Sequence, residues 1–190
     1  KCTGATCDDH KVEIKFHHTP PAFDHGAALK AAVVNCLGNV TSGENCCSTD
    51  PNCADPSSAR CGAYGCDDMP NWNTSLVTDM SRLFADCDGA NWWCGGVVFD
   101  SSSFNEDISG WNTSQVTTME DMFNGATSFN QAIGAWDTSQ VTNMYRMFWG
   151  ATAFYQDITG WSDASLTTST EMFAGATAFF NSYKRLDGTT

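Results

Sequence analysis

The chain has little positive charge and few charged residues of any kind. It contains 9 Lys or Arg and 22 Asp or Glu among 190 residues, which gives a net charge of −13. Such a chain would repel nucleic-acid phosphates and anionic membrane surfaces, so neither is predicted as a partner. The sequence has no apolar run approaching the roughly 18 residues of a membrane span, and no span is predicted. Because 42% of its residues are hydrophobic, a folded core is still expected.

The chain also lacks the motifs that enzymes and cofactor-binding proteins use. No GxSxG, HExxH, P-loop or GxGxxG pattern occurs, so neither a catalytic residue nor a cofactor is predicted. The histidines all lie in the first 25 residues, where Val12–Phe16 is a predicted strand. His17 and His18 are adjacent and would point to opposite faces of a strand, which disfavours a shared metal site. We therefore predict a protein that is not an enzyme and holds no metal.

Cysteine is absent after residue 94 but abundant before it. The ten cysteines are Cys2, Cys7, Cys36, Cys46, Cys47, Cys53, Cys61, Cys66, Cys87 and Cys94. So many cysteines favour disulfides and an oxidising, extracellular compartment. Zinc binding is the competing interpretation, and the lack of paired CxxC motifs with matching spacing weakens it. The only pairing that we predict joins Cys87 to Cys94 across a short loop.

Three N-x-[ST] sequons agree with secretion. They begin at Asn39, Asn73 and Asn112. The chain starts at Lys1 without an initiator methionine, which fits a mature chain whose leader has been removed and fits a truncated sequence equally well. We therefore expect an extracellular or cell-surface protein that carries N-linked glycans.

The dominant feature of the sequence is a repeat of 25 residues. Trp111, Trp136 and Trp161 open similar blocks, and an earlier block with 14 extra residues opens at Trp72. Alignment of the blocks produces columns of apolar residues, among them Trp72, Trp111, Trp136 and Trp161; Phe84, Phe123, Phe148 and Phe173; and Phe104, Phe129, Phe154 and Phe179. One such unit cannot bury its apolar face alone, so stacked copies that share a continuous core are predicted.

Each coil of this stack is expected to contain a short strand and a short helix. The W-[ND]-T-S segment predicts a strand with Trp inward and Asn or Asp outward. The M-x-x-M-F segment has the i, i+3, i+4 spacing of a helix, and the following glycine would end it. Its methionines are interpreted as core filling rather than as a ligand groove. The predicted fold class is thus an α/β repeat solenoid, leucine-rich-repeat-like, with a disulfide-rich N-terminal cap.

Two of the blocks carry a resemblance to a known family. FNEDISGWNTSQVTTMEDMFNGATSFN (104–130) and FNQAIGAWDTSQVTNMYRMFWGATAF (129–154) resemble the repeats of the BspA-like leucine-rich-repeat family of microbial surface proteins. The resemblance covers the chain from Tyr64 to Phe180, and Leu29–Leu37 is similar to the helix that often precedes such repeats. It implies a secreted or surface-anchored protein used in adhesion or matrix assembly, without shared catalytic residues. The fourth block departs from the pattern, since Ser169 replaces a core methionine.

These features divide the chain and suggest what its ends do. We predict a Cys-rich segment with a capping helix (1–66), a four-coil repeat region (67–180) with an insertion at 85–99, and a tail (181–190). After Phe179 and Phe180 too little sequence remains for a capping helix, whereas the other end is covered. We therefore expect head-to-tail self-association through the ends, into an extracellular filament or adhesive layer.

An alternative function is a glycan- or protein-binding adhesion module that uses the flank of the solenoid. Trp92 and Trp93 lie in the insertion, where they cannot both occupy the repeat columns. Exposed tryptophans suit sugar stacking or a subunit contact, and a loop folded over the flank is the third interpretation. The sequence leaves these three open.

Overall fold

The computed structural model describes residues 26–53, 55, 61, 66–86 and 100–184. The chain forms helix α1 (Gly26–Leu37), a short 3-10 helix (Met69–Asn71) and, at the other end, helix α2 (Thr177–Lys184). Between the 3-10 helix and α2 lie four coils, which open at Trp72, Trp111, Trp136 and Trp161. No helix in the described ranges combines the length and apolar character that crossing a bilayer requires.

Successive coils lie one on another and are joined by backbone hydrogen bonds. In each of the first three coils, four alternate N–H groups donate to carbonyls of the next coil, with N···O distances from 2.7 to 3.2 Å. In the second coil these donors are Met119, Asp121, Phe123 and Gly125. One parallel bridge also joins each pair of neighbours, through Asp79, Thr118, Asn143 and Thr168 in turn. Hydrogen bonds between coils thereby satisfy backbone N–H and C=O groups that do not belong to a regular helix or sheet.

The predicted α/β class with a strand and a helix in every coil is wrong. In the described residues parallel pairing is limited to isolated single-residue bridges, and none falls in a W-[ND]-T-S segment. The M-x-x-M-F segments are turns, because the residue before the second apolar position has a left-handed backbone that cannot continue a right-handed helix. These residues are Arg82 (φ 57°), Asp121 (φ 54°), Arg146 (φ 53°) and Glu171 (φ 58°).

Aromatic rings fill the core of the stack at regular intervals. The Phe84 and Phe123 rings stack 5.5 Å apart, and Phe123 and Phe148 lie 5.4 Å apart. The second phenylalanine column runs beside the first, with Phe123 and Phe129 3.9 Å apart within one coil. The indole Nε1 of Trp136 donates to the carbonyl of Ile108 in the preceding coil at 3.2 Å. The predicted inward columns are confirmed in the first three coils, where these rings are buried.

Helix α1 forms where the sequence predicts it and covers the N-terminal end of the stack. Its side chains Leu29, Val33 and Leu37 are completely buried. Gly26 lies so close to the first coil that a Cβ there would be 2.1 Å from the carbonyl oxygen of Asp79. Burial lowers the pKa of Lys30, with Arg82 of the first coil as a second cause. Helix α1 therefore occupies the place beside the first coil that an earlier coil would otherwise fill.

Three disulfides stabilise the segment that follows α1. They join Cys36 to Cys46, Cys47 to Cys61, and Cys53 to Cys66. Each closes a loop of moderate length, which typically stabilises a small domain by about 2–4 kcal/mol. The predicted use of cysteines in disulfides is confirmed for these six, whereas Cys2, Cys7 and the predicted pair of Cys87 with Cys94 lie outside the described residues.

Candidate functional site

The last coil carries a row of backbone donors without acceptors. Ser169, Glu171, Phe173 and Gly175 occupy the positions whose N–H groups donate to the next coil everywhere else in the stack. Among the residues that the structure describes, none of these four N–H groups donates a hydrogen bond. An edge of unpaired backbone groups is a template on which another backbone segment can pair. The row is therefore the first component of a candidate docking site.

The same edge leaves core side chains partly exposed. Trp161, Leu166, Met172, Phe173 and Phe179 are all intermediate in burial. Their counterparts one coil earlier are at most 3% exposed: Trp136, Val141, Met147, Phe148 and Phe154. Phe180 is 47% exposed. Among the residues that the structure describes, no further coil covers the apolar side chains of the fourth coil, which are therefore partly exposed.

Helix α2 covers only a part of this end. Phe179 anchors the helix, since its ring stacks 4.0 Å from Phe173 and 6.1 Å from Phe154. We expected too little sequence after Phe179 and Phe180 for a capping helix; α2 begins earlier, at Thr177, and does not occupy the row of donors. An open depression of about 400 Å³ remains, lined by Ser169, Glu171, Met172, Phe173, Ala174 and Phe180. We call this surface, with the N–H of Gly175, the open end.

A column of charges with alternating sign runs along the stack to the open end. It consists of the left-handed residues Arg82, Asp121, Arg146 and Glu171. Arg82 Nε lies 3.4 Å from Asp121 Oδ2, and Arg146 Nε lies 2.6 Å from Glu171 Oε2. The hydrogen bond to Glu171 raises the pKa of Arg146, and the Asp121 carboxylate adds to this effect. Among the described residues, Asp121 is therefore flanked by two cations, whereas Glu171 has one.

The sequon asparagines lie at different depths. Asn39 and Asn112 are exposed, and Asn73 is half-buried. Oδ1 of Asn112 accepts hydrogen bonds from N–H and Oγ–H of Ser114 at 3.1 and 2.8 Å. Nδ2 of Asn39 donates to the carbonyl of Asn35 at 2.7 Å, at the end of α1. Glycosylation of these three residues stays a prediction.

Cysteine clustering in the structure does not create a metal site. The sulfurs of Cys46, Cys47 and Cys61 all lie within 4.8 Å of one another, as zinc ligands would. Each of the three is in a disulfide, however, and zinc binds the free thiolate. The geometry therefore favours the disulfide interpretation over the zinc interpretation for these residues.

A group of carboxylates that the sequence analysis missed lies near the covered end. Burial raises the pKa of Glu106, and the nearby Glu44, Asp68 and Asp107 raise it further. Asp68 has a structural role, since its Oδ1 accepts the N–H groups of Cys47 and Ser48, both at 2.9 Å. These residues come from distant parts of the chain, so no local motif could have indicated the group.

Some of the remaining residues that were predicted to make contacts lie within the described part of the chain, and others lie outside it. Phe179 and Phe180 belong to the open end, where Phe179 is half-buried and Phe180 is exposed. Trp92, Trp93 and the four histidines lie outside the described residues. The sequence could have indicated the charge column, because its sign alternates at equivalent repeat positions.

Comparison with known proteins identifies a family. A family model described as "Mycoplasma protein of unknown function, DUF285" matches residues 60–92 and 95–186. No curated protein and no solved structure matches the chain. The family match supports the predicted resemblance to BspA-like surface repeat proteins, although it does not confirm the specific repeat motif. Because it covers more than half of the sequence, the chain belongs to the DUF285 family, whose function is unknown.

Proposed function

We propose that this protein is a secreted, glycosylated, non-enzymatic repeat protein that associates head-to-tail into an extracellular filament or surface layer. The observation that carries the proposal is the open end, where, within the described part of the chain, four backbone N–H groups have no acceptor and no further coil covers Met172 and Phe173. Both features are satisfied at every internal junction of the stack. A further polypeptide segment placed on the open end would satisfy them in the same way.

The two ends of the stack differ, and this difference sets the symmetry of the proposed assembly. Helix α1 covers the first coil, while the fourth coil carries the open end. A contact between unlike ends is heterologous, and it continues as a filament unless its rotation closes a ring. Two-fold dimers are not the expected product.

Sedimentation velocity of the 190-residue chain over a dilution series tests this proposal. We expect the average mass of the wild type to rise with concentration and the variant Phe180→Asp to remain monomeric. Leu76→Asp is the matched control, because Leu76 is also exposed (57%) but belongs to the first coil. Asn181→Asp is a second control, because it places the same negative charge at the neighbouring position of α2. A wild type that stays monomeric at all concentrations, or equal association of Phe180→Asp and Leu76→Asp, would contradict the proposal.

A glycan-binding adhesion module is the second candidate function. Trp149 and Tyr155 of the third coil favour it, since they are 46% and 55% exposed and aromatic faces bind sugars by stacking. Binding on a glycan array that is lost in Trp149→Ala and Tyr155→Ala but retained in Phe180→Asp would support this function. Absence of binding by the wild type would contradict it.

A further inference from the structure

We propose that the open end receives residues 11–16 (KVEIKF) of a second copy as an extended segment parallel to the fourth coil. This inference rests on the proposed head-to-tail function and names the segment that makes the contact. The parallel direction follows the bridges inside the stack, which are all parallel in the described coils. Parallel pairing supplies carbonyl acceptors from alternate residues of the added segment. Ser169, Glu171, Phe173 and Gly175 likewise present donors from alternate residues, and a six-residue segment can supply carbonyl acceptors for three of these four donors.

A second copy cannot fill the open end with its own first coil. In the stack, an added coil would offer its carbonyls to the row of donors. Helix α1 already lies on that side of the first coil, with Gly26 against the carbonyl oxygen of Asp79. Displacing α1 would expose Leu29, Val33 and Leu37, which are completely buried, and transferring such apolar side chains to water is unfavourable. The acceptors must therefore come from another segment of the neighbour.

The sequence of residues 11–16 matches the chemistry of the open end. In an extended segment Val12, Ile14 and Phe16 share one face, which suits the exposed apolar surface around Phe173 and Phe180. Lys11 and Lys15 share the other face with Glu13. The chain has only nine Lys or Arg residues, so two of them within six positions are a local concentration of positive charge.

The charge column offers a partner for these lysines. Its sign alternates along the stack, and it ends with the negative Glu171, whose side chain is 44% exposed. Inside the stack, Asp121 has a cation in the coil on either side, Arg82 and Arg146. A lysine of the added segment would continue this alternation beyond Glu171.

The segment also precedes α1 at the end of the stack that faces the neighbour. In a head-to-tail contact the covered end of one copy approaches the open end of the next. Phe16 and Gly26 are separated by nine residues, and ten residue steps span up to about 33 Å when extended. The segment can therefore cross the contact without unfolding α1.

A labelled peptide of residues 10–18 tests the inference on the full chain. We expect the peptide to bind, as measured by fluorescence anisotropy, and to inhibit the concentration-dependent rise in mass. Glu171→Lys should weaken this binding about two- to fivefold, as expected for an exposed ion pair. A peptide in which glutamate replaces both lysines should regain the lost affinity for the Glu171→Lys variant. It should show no such gain in affinity for the wild type. Glu44→Lys is the control, because Glu44 is exposed and lies outside the open end.

Substitutions in the N-terminal segment itself provide a second test of the inference. Ile14→Asp in the full chain should abolish association, whereas Thr19→Asp, with the same added charge, should leave it unchanged. Association that persists in Ile14→Asp and is insensitive to the peptide would overturn this inference but not the proposed function. A wild type that never associates overturns both. A wild type that remains monomeric and associates only after Ile14→Asp would show that the segment covers its own open end, which overturns the role of a second copy.

Discussion

At the scale of the residue, the shape of each coil depends on one left-handed position that is never glycine. Arg82, Asp121, Arg146 and Glu171 adopt φ values from 53° to 58°. An L-residue in this conformation costs roughly 1–2 kcal/mol. The side chains at these positions form the charge column, so interactions between coils offset a part of that cost. The left-handed backbone at this position also interrupts the helix that the sequence predicted.

Arg146 allows a direct test of the left-handed turn. Arg146→Val should destabilise the protein by about 1–2 kcal/mol relative to Arg146→Gly, because a β-branched residue tolerates this backbone poorly. The exposed ion pair with Glu171 is lost in both variants and therefore cancels from the comparison. Urea unfolding of the two variants measures the difference. Equal stability would contradict the left-handed backbone at this position.

A second residue-scale prediction concerns the face that carries Asn73 and Asn112. Asp137 is the equivalent residue of the third coil, and it accepts the N–H of Ser139 at 2.9 Å as Asn112 accepts that of Ser114. Asp137→Asn should keep this turn and create a sequon on an exposed position. We expect one additional N-glycan when the variant is secreted from a eukaryotic host, detected by mass spectrometry. The double variant Asp137→Asn/Ser139→Ala should gain none; a missing glycan in the single variant would argue against an accessible face.

At the scale of the element, each coil is stable only against its neighbours. Phe123 lies between Phe84 and Phe148 at 5.5 and 5.4 Å, whereas Phe173 has a column neighbour only in Phe148. Phe123→Ala should therefore cost about 3–5 kcal/mol. Phe173→Ala should cost clearly less under conditions where the protein is monomeric. Thermal unfolding of both variants checks this, and equal costs would indicate that the end is covered.

The repeat predicted the core but not the path of the backbone. Phe123, Phe129 and Trp136 could be placed inside from the sequence, because stacking makes equivalent positions alike. M-x-x-M-F has the same apolar spacing in a helix and in this turn, so periodicity alone could not distinguish the two. The presence of aspartate at position 121 did not indicate the turn, since aspartate is compatible with both a helix and this turn. The three disulfide pairings depend on distances in space, which spacing along the chain does not determine.

At the scale of the whole molecule, the stack is directional. Each internal junction includes four backbone hydrogen bonds donated to the next coil, together with stacked rings, and α1 covers the first coil. Only the open end retains donors and apolar columns without a neighbour in the part of the molecule that the structure describes. Directional growth follows from this difference, and the alternating charge column also ends at the open end, on the exposed side chain of Glu171. The sequence predicted an uncovered end but not the partial cover that α2 provides.

Amide hydrogen exchange at the open end tests the central claim most directly. We predict rapid exchange for the N–H groups of Ser169, Glu171, Phe173 and Gly175 in dilute monomer, and strong protection of at least three of the four at concentrations where the protein associates. The equivalent groups of the third coil, such as that of Phe148, should be protected in both states, because they donate to the fourth coil. Protection of the four groups in the monomer, or association that leaves them exchanging rapidly, would contradict the account.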